Sequence, residues 1–349
     1  MRVLVAMSGG VDSSVAAALL RDQGHEVVGA TMRLWGGESD SGCCSVADVE
    51  DARRVAAPLG IDHHVLNLAD EFTRHVVEPY VADHAAGRTP NPCIECNRHL
   101  KFDVFLDRAD LLGFDAVATG HHARRVQMDD GSWRIGRAVD AAKDQSYVLH
   151  PLLPAALGRV LFPVGDMTKA EVRDRAAALG LRTADKAESQ DVCFITSTQG
   201  RRKFLAARTE LHPGRVVDVD GTELGTVDAV ETVTLGQRRG VGAAGGSARR
   251  FVVDVDVPGR TVTVGPPERL LVDHVDLDPV AWADGVPAGP VRAQCSAHGE
   301  ARAARVETRE GGARVHFVEP VRRVAPGQSV VLYAPAPGGE VVVGGGTAR

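Results

Sequence analysis

Apolar and amphipathic stretches alternate along residues 1 to 200 of the chain. Residues 3–5 form a short continuous apolar run, which is typical of a strand that is buried on both faces. Apolar residues then recur at helical spacing until Gly24. The same order repeats, with strands predicted at 26–34, 65–68 and 116–119 and helices at 45 onward, 71–86, 98–112 and 169–179. Ser45, with Asp48 three residues on, is a capping-box pattern that predicts the start of the helix at 45. This alternation predicts an α/β fold with a doubly wound parallel sheet.

A different pattern begins near residue 214. Short stretches of alternating polarity, such as 215–219 and 251–255, are separated by Asp-Gly or Pro-Gly turns, which is typical of antiparallel sheets. No long helix is predicted after Leu205. We therefore predict three domains: an α/β domain at 1–198, a central β-rich module at 199–268 and a C-terminal β-barrel at 269–349.

The composition sets limits on the class of protein. The chain has 349 residues, of which 44% are hydrophobic, and it has room for two or three domains. No apolar run reaches membrane-spanning length, and the N-terminus enters a strand without a signal-peptide pattern. We therefore expect a cytoplasmic protein without a membrane partner, whose six cysteines are reduced. The net charge of −6 does not favour a nucleic-acid partner, but basic clusters such as 201–203 are candidates for phosphate contacts.

The turn between the first strand and the first helix consists of small residues with the sequence Ser-Gly-Gly-Val-Asp-Ser. Gly9 and Gly10 lack a Cβ, so their backbone can approach a ligand, and the free N–H groups of the following helix attract anions. The turn therefore predicts a phosphate site. It has neither the lysine of a Walker loop nor the G-x-G-x-x-G of a dinucleotide fold. The alternative is a glycine-rich turn without a ligand.

Three cysteines carry a second chemical signal. Cys93 and Cys96 lie in TPNPCIECN, where two prolines disfavour a helix and predict an exposed loop. Cys193 lies in ESQDVCFI, between predicted helices. A single C-x-x-C allows redox, zinc or iron–sulfur chemistry, although zinc lacks a second pair of ligands here. The remaining cysteines are expected to be inert buried thiols: Cys43, Cys44 and Cys295.

Six separated motifs carry a family resemblance. The SGGVDSS turn resembles the pyrophosphate loop of the ATP pyrophosphatases, which assigns the domain at 1–198 to that class. Together with TPNPCIECNRHLKF, ATGHHAR, KDQSYVL, KAESQDVCFI and APGQSVVLY, it makes the chain resemble the tRNA-specific 2-thiouridylases, the MnmA/TrmU family. The resemblance extends from Met1 to the last strands and implies a tRNA-contacting C-terminal barrel.

The resemblance implies a sulfurtransferase that performs the ATP-dependent 2-thiolation of the wobble uridine of tRNA. In that reaction the uridine C2 oxygen is adenylated, and sulfur from a cysteine persulfide replaces it. One alternative is another adenylating enzyme with the same loop, acting on a different tRNA base or on a small molecule. Another is a non-catalytic RNA-binding protein with a vestigial nucleotide loop.

The resemblance also implies roles for individual residues. Cys193 carries a persulfide received from a cysteine desulfurase or a sulfur-relay protein, and Cys96 attacks it and leaves a Cys96–Cys193 disulfide. Contacts with ATP are implied for Ala6, Met7, Ser8, Gly9, Gly10, Val11, Asp12, Ser13, Met32 and Gly120. Contacts with tRNA are implied for His121, Lys143, Asp144, Gln145 and Gln328. Mg²⁺ is implied on the triphosphate, with Asp12 as its ligand or as a helix cap.

Two positions depart from the family pattern. Cys93 stands where some members have an acidic residue, which puts an acid–base role at this position in doubt. It is a spare thiol, a resolving thiol or, in the alternative that we favour less, an iron–sulfur ligand with Cys96 and Cys193. Ala293 follows Arg292 where relatives have an Arg-Tyr pair, so the barrel is expected to contact RNA differently.

Overall fold

The structure is a computed structural model that describes residues 1–34, 45–152, 154–186, 192–195, 200–241 and 249–349. The chain forms two compact units. The first comprises Met1–Val76, Pro92–Thr196 and Ala334–Val342, and the second comprises Val77–Asn91, Ser197–Tyr333 and Val343–Arg349. Two of the predicted inert thiols, Cys43 and Cys44, lie outside the described residues.

Helices and strands alternate in the first part of the chain. They are β1 (Arg2–Ala6), α1 (Val11–Asp22), β2 (Glu26–Arg33), α2 (Val46–Leu59), β3 (Asp62–Asn67), α3 (Ala69–Phe72), α4 (Glu78–Ala85), α5 (Pro92–Glu95), α6 (Phe105–Leu111), β4 (Ala116–Thr119), β5 (Arg124–Gln127), β6 (Trp133–Gly136), α7 (Pro154–Leu157), β7 (Val160–Leu161), α8 (Lys169–Ala178) and α9 (Gly200–Ala206). Two π-helical segments, Thr73–Val77 and Cys96–Val104, and two 3₁₀ segments, Ser146–Leu149 and Arg182–Asp185, complete this part.

The first unit is built around a five-stranded sheet. Its strand order is β3-β2-β1-β4-β7, and every described pairing is parallel. The apolar residues of β1 are fully buried at its centre, which explains their continuous run. The predicted doubly wound parallel sheet is therefore confirmed. The strand order reverses on either side of β1, and ligands of such sheets bind beyond the carboxyl ends of the strands at that point.

Capping fixes where the helices that cover the sheet begin and end. Ser45 Oγ accepts a hydrogen bond from the Asp48 N–H at 3.2 Å, and the Asp48 carboxylate accepts one from the Ser45 N–H. This is the capping box that the sequence predicts at the start of α2. Gly60 ends the helix in the left-handed conformation. Apolar residues of α1, α2 and α8 pack with those of β1 in one core.

The prediction of an exposed loop around Cys93 and Cys96 is wrong. The segment Pro92–Glu95 is α-helical, and Cys96 begins the π-helical segment with only 7% of its surface exposed. Pro92 stands at the first helical position, where its missing N–H is not needed and its fixed φ suits a helix. The proline therefore starts this helix instead of preventing it.

The last part of the chain, from residue 214, is composed mainly of strands, most of which pair antiparallel. They are β8 (Gly214–Asp218), β9 (Glu223–Val227), β10 (Phe251–Asp256), β11 (Thr261–Gly265), β12 (Leu271–Trp282), β13 (Val291–Gln294), β14 (Arg302–Arg309), β15 (Gly312–Arg322), β16 (Ser329–Ala336) and β17 (Gly339–Ala348). Strands β8 to β11 form a four-stranded sheet, and β12 to β17 form a six-stranded barrel that the β12–β17 pairing closes. The predicted β-rich module and C-terminal barrel are confirmed. Within the described ranges, no helix has the length and apolar character needed to span a bilayer.

A buried histidine makes the second unit sensitive to acid. His84 of α4 is 2% exposed, its ring packs edge-on against Tyr80 at 4.6 Å, and its Nδ1 donates to the Glu231 carbonyl at 3.3 Å. Burial, reinforced by the charge of Arg201, lowers the pKa of His84 from 6.5 to about 4. The folded unit therefore holds this imidazole neutral.

Because the unfolded chain binds the proton more readily, the stability contributed by neutral His84 is fully present above pH 6.5 and is lost as the pH falls towards 4. We expect His84→Gln, which keeps a donor but does not titrate, to remove about 2 kcal/mol of the destabilisation between about pH 7 and pH 4.5. Urea unfolding of both proteins at the two pH values measures this difference. Equal acid destabilisation of the variant and the wild type would contradict the assignment.

Candidate functional site

The turn after β1 has the geometry of an anion site. Gly9 has a φ of +72°, and a Cβ there would lie 3.0 Å from the Asp48 carbonyl carbon and closer still to its oxygen, so only glycine fits. Gly10 is the N-cap residue of α1, and it provides no side-chain cap for the first N–H groups of the helix. These groups and the helix dipole can therefore bind a phosphate.

Hydroxyl groups of α1 hold this turn in shape. Ser13 Oγ accepts a hydrogen bond from the Ser8 N–H at 3.2 Å and donates to the Gly10 carbonyl at 3.2 Å. Ser14 Oγ donates to the same carbonyl at 2.7 Å. Hydrogen bonds within the protein therefore hold the conformation of this turn. Two residues that the resemblance assigns to ATP, Met7 and Met32, are buried in the core.

The turn after β4 packs directly on the start of α1. A Cβ on Gly120 would lie 2.5 Å from the Ser13 nitrogen, so this close approach requires glycine. His122, two residues on, has its Nε2 3.1 Å from Asp12 Oδ1. The strand-end turns of β1 and β4 thus form one cluster at the carboxyl edge of the sheet.

Asp12 faces cationic and donor groups. Lys169 Nζ lies 2.8 Å from Asp12 Oδ1 and 2.7 Å from Oδ2, in addition to the His122 contact. Burial would raise the pKa of Asp12, but hydrogen bonds from His122 and Lys169 and the charge of Lys169 hold it below 3.8. Both oxygens already accept hydrogen bonds, and the Lys169 ammonium would repel a cation on this carboxylate, so Asp12 does not fit a metal ligand in this arrangement. No cluster of three His, Cys, Asp or Glu residues suited to a metal ion occurs in the described part of the chain.

A second lysine contacts the turn from another side. Lys186 Nζ lies 3.1 Å from the Gly9 carbonyl oxygen and 2.7 Å from carboxylate oxygens of both Asp48 and Asp51. Lys169 and Lys186 were not predicted as site residues from the sequence. Lysine is rare in this chain: of the 40 Lys and Arg residues, only five are lysine. This rarity could have indicated that the lysines have specific roles.

The two catalytic candidates lie on segments that share a neighbour. Helix α3 packs against the π-helical segment that begins at Cys96. Phe194, adjacent to Cys193, is 2% exposed and packs edge-on against Phe72 of the same α3 at 5.5 Å between ring centres. Val192 has a φ of 55°, which is a strained conformation for a β-branched residue. The turn that contains Cys193 is thus held by the packing of Phe194 on one side, and it has a strained backbone at Val192 on the other.

The thiols differ in burial and chemistry. The described part of the chain contains four cysteines, and none of them forms a disulfide: Cys93, Cys96, Cys193 and Cys295. Cys193 is half-buried, whereas Cys96 is buried. Cys295, in the barrel, is half-buried, and burial of its sulfur raises the pKa to about 11. This thiol carries little thiolate at neutral pH, in keeping with its expected inertness.

The residues predicted to contact tRNA occupy different environments. Asp144 accepts hydrogen bonds from the Arg137 guanidinium at 2.8 Å and from Ser146 Oγ at 2.8 Å, and its side chain is 7% exposed. Exposed Gln145 accepts from the His122 N–H at 2.9 Å, which ties the KDQ turn to the turn after β4. Lys143 is half-buried. Asp144 therefore shapes this turn, while Gln145 is exposed to solvent and Lys143 is partly so. Contact of these residues with tRNA stays a prediction.

Two further predicted tRNA contacts are engaged within the protein. His121 is 8% exposed, its Nδ1 lies 2.7 Å from Thr119 Oγ1, and burial holds its pKa well below 6.5. In the second unit, Gln328 Nε2 donates to the Thr89 carbonyl at 2.6 Å. That bond connects the APGQ segment to the start of TPNPC. Contact of either residue with tRNA stays a prediction.

A parallel sheet with an uncapped, glycine-rich turn at its switch point defines a nucleotide-binding α/β protein. Family models match in three parts: a tRNA methyl transferase HUP domain at residues 1–197, a tRNA methyl transferase PRC-barrel domain at 202–266 and an aminomethyltransferase beta-barrel domain at 272–348.

Relatives that match nearly the whole chain identify the family more specifically than the domain models do. The tRNA-specific 2-thiouridylase MnmA of Chloroflexus aurantiacus is 46% identical over 353 residues, covering 99% of this chain and 97% of that protein. The protein of the same name from Mycolicibacterium smegmatis is 47% identical over 358 residues, covering 99% of each. The chain belongs to the tRNA-specific 2-thiouridylase family, and the resemblance found in the sequence is confirmed. The domain descriptions mention methyl transferases, but the relatives match nearly the whole chain.

We expect Gly9→Ala to weaken ATP binding by at least about tenfold, because the added methyl group displaces the turn from α2. Gly24→Ala is the matched control, since Gly24 has a φ of +82° but open space around it. Both variants carry the left-handed strain of about 1 kcal/mol, and only Gly9→Ala carries the overlap. Isothermal titration with ATP measures the affinities. Equal ATP affinity in the two variants would contradict this view of the turn.

Proposed function

We propose that this protein is a sulfurtransferase that uses ATP to replace the C2 oxygen of a uridine in tRNA, the wobble uridine, with sulfur. The observation that carries the proposal is the presence of two features in one compact unit. The uncapped turn at Gly9 and Gly10 supplies an anion site, and α3 links the segments of Cys96 and Cys193 in the same unit. Family membership over 99% of the chain supports the same reaction.

In the first step, the uridine C2 oxygen attacks the α-phosphate of ATP. A bond forms between that oxygen and phosphorus, the bond to pyrophosphate breaks, and the uridine N3 proton is released. The turn binds the leaving pyrophosphate through the N–H groups at the start of α1. Lys169 offsets the charge of Asp12, which would otherwise repel the phosphates. The contacts with ATP proposed for Ala6 to Ser13, Met32 and Gly120 belong to this step.

In the second step, Cys193 carries a persulfide supplied by a cysteine desulfurase or a sulfur-relay protein. The Cys96 thiolate attacks the inner sulfur, the bond between the two persulfide sulfurs breaks, and the outer sulfur leaves as hydrosulfide. Hydrosulfide attacks C2 of the adenylated uridine, and AMP departs with the original oxygen. The resulting Cys96–Cys193 disulfide is reduced by a dithiol before the next turnover. Reaching C2 requires the base to leave its stack.

Further parts of the proposal concern location, domains and metals. We place the protein in the cytoplasm and its domain boundaries near residues 198 and 268, which the ranges of the matched family models support. Mg²⁺ enters with ATP in this proposal, and no step is assigned to an ion on Asp12, since Lys169 and His122 occupy that carboxylate. An iron–sulfur cluster on Cys93, Cys96 and Cys193 is the less favoured route for sulfur.

The proposal is tested by single-turnover thiolation of tRNA with ATP and a persulfide donor, with nucleosides analysed by mass spectrometry. We expect Cys193→Ala and Cys96→Ala to lose thiolation by at least about a thousandfold, because each removes a reacting sulfur. Both should still form AMP in the presence of tRNA. Cys295→Ala is the matched control, and its thiolation rate should equal that of the wild type.

Cys93→Ala separates the two sulfur routes. The persulfide route does not use Cys93, so Cys93→Ala should still thiolate tRNA. Loss of tRNA thiolation in this variant would favour the iron–sulfur route. Thiolation that survives in Cys96→Ala or Cys193→Ala would refute the mechanism. A wild-type protein that forms AMP only with another substrate would support a different adenylating enzyme, and one that forms no AMP would support an RNA-binding protein.

A further inference from the structure

The side chain of Lys186 joins three segments of the first unit. Its Nζ lies 3.1 Å from the Gly9 carbonyl oxygen in the turn, and 2.7 Å from Asp48 Oδ1 and from Asp51 Oδ2 on α2. A lysine ammonium has three N–H donors and no acceptor. The number of acceptors within hydrogen-bond distance therefore equals the number of donors.

The backbone from which this side chain extends is also held. The Lys186 N–H donates to the Thr183 carbonyl at 3.2 Å, and Arg173 Nη2 donates to the Lys186 carbonyl at 3.3 Å. Burial would lower the pKa of Lys186, but hydrogen bonds to Asp48 and Asp51 raise it above 10.5. The Lys186 ammonium is therefore charged at neutral pH. Hydrogen bonds hold both the backbone of Lys186 and the end of its side chain.

The position of the Gly9 carbonyl determines where the next N–H points. The Gly9–Gly10 peptide bond is trans, so the Gly9 C=O and the Gly10 N–H point in opposite directions. Lys186 holds the carbonyl on one side, and the Gly10 N–H is thereby directed to the other. Gly10 is the N-cap residue of α1, where the anion site lies.

We propose that Lys186 is a positioning residue that fixes the Gly9–Gly10 peptide so that the Gly10 N–H faces the phosphates of a nucleoside triphosphate. The inference rests on the proposed function, which supplies the ligand. Lys186 acts through the turn and does not itself contact phosphate, because its three donors are matched by Gly9, Asp48 and Asp51. It adds a residue outside the glycine-rich turn to the nucleotide site.

The first test compares affinities for ATP and for adenosine. Lys186→Met should weaken ATP binding by about tenfold or more and leave adenosine binding within about twofold, because only the phosphate part depends on the turn. Arg54→Met is the matched control: it removes the other cation near Asp51, 4.0 Å away, without touching Gly9. Lys186→Arg, which keeps charged donors, should recover most of the ATP affinity.

The second test needs no ligand. Labelling with ¹³C-carbonyl and ¹⁵N-glycine reports only Gly-Gly pairs, of which Gly9–Gly10 is one, and Gly10→Ala assigns its signal. In the nucleotide-free protein, Lys186→Met should move the Gly10 amide signal, and Arg54→Met should not. A lysine that acted only as a phosphate ligand would leave this signal in place.

The outcomes separate this inference from the proposed function. A wild-type protein that does not bind ATP refutes the proposed function. A wild type that binds ATP, with Lys186→Met binding it equally well or losing adenosine to the same extent, overturns the role of Lys186. If Lys186→Met does not fold, Lys186→Arg decides: restored ATP affinity with an unmoved Gly10 signal supports the inference, and a tenfold loss contradicts it.

Discussion

The close approach of Gly9 to the first turn of α2 is the constraint on which the rest of the site depends. A single methyl group at this position would overlap the Asp48 carbonyl. Because β1 lies between β2 and β4 in a parallel sheet, its turn meets α2 on one side and the turn after β4 on the other. Gly120 makes a similar approach to α1 from that second side. The proposed phosphate site is therefore shaped by backbone contacts that tolerate no side chain at Gly9 or Gly120.

Charge is arranged around this backbone in two groups. Asp12 is paired with Lys169, and Asp48 and Asp51 share Lys186. Both lysines come from the last third of the catalytic α/β part, far along the chain from the turn that they flank. In the proposed function, a triphosphate that enters the site meets directed N–H groups, and each of these carboxylates already contacts a lysine. The same unit holds the segments of Cys96 and Cys193 around α3, so the proposed activation and the proposed sulfur transfer share one scaffold.

The local patterns were predictable, and the long-range contacts were not. The buried run of β1, the glycine turn and the Ser45 capping box depend on neighbouring residues and were predicted. The helix at Pro92 was missed because the effect of proline depends on its position. Within a helix proline breaks the helix, whereas at the first position of a helix it is favourable. The contacts of Lys186 cross more than a hundred residues, which no spacing reveals. Motif resemblance identified Asp144 and His121 but could not show that their side chains point inward.

The most direct test of the central claim follows the oxygen that is replaced. A tRNA whose target uridine carries ¹⁸O at C2 is treated with the protein, ATP and a persulfide donor, and the AMP formed is weighed by mass spectrometry. If the turn activates that oxygen by adenylation, AMP carries the ¹⁸O label in proportion to the 2-thiouridine formed. Unlabelled AMP alongside 2-thiouridine would show that the oxygen leaves by another route and would contradict the account.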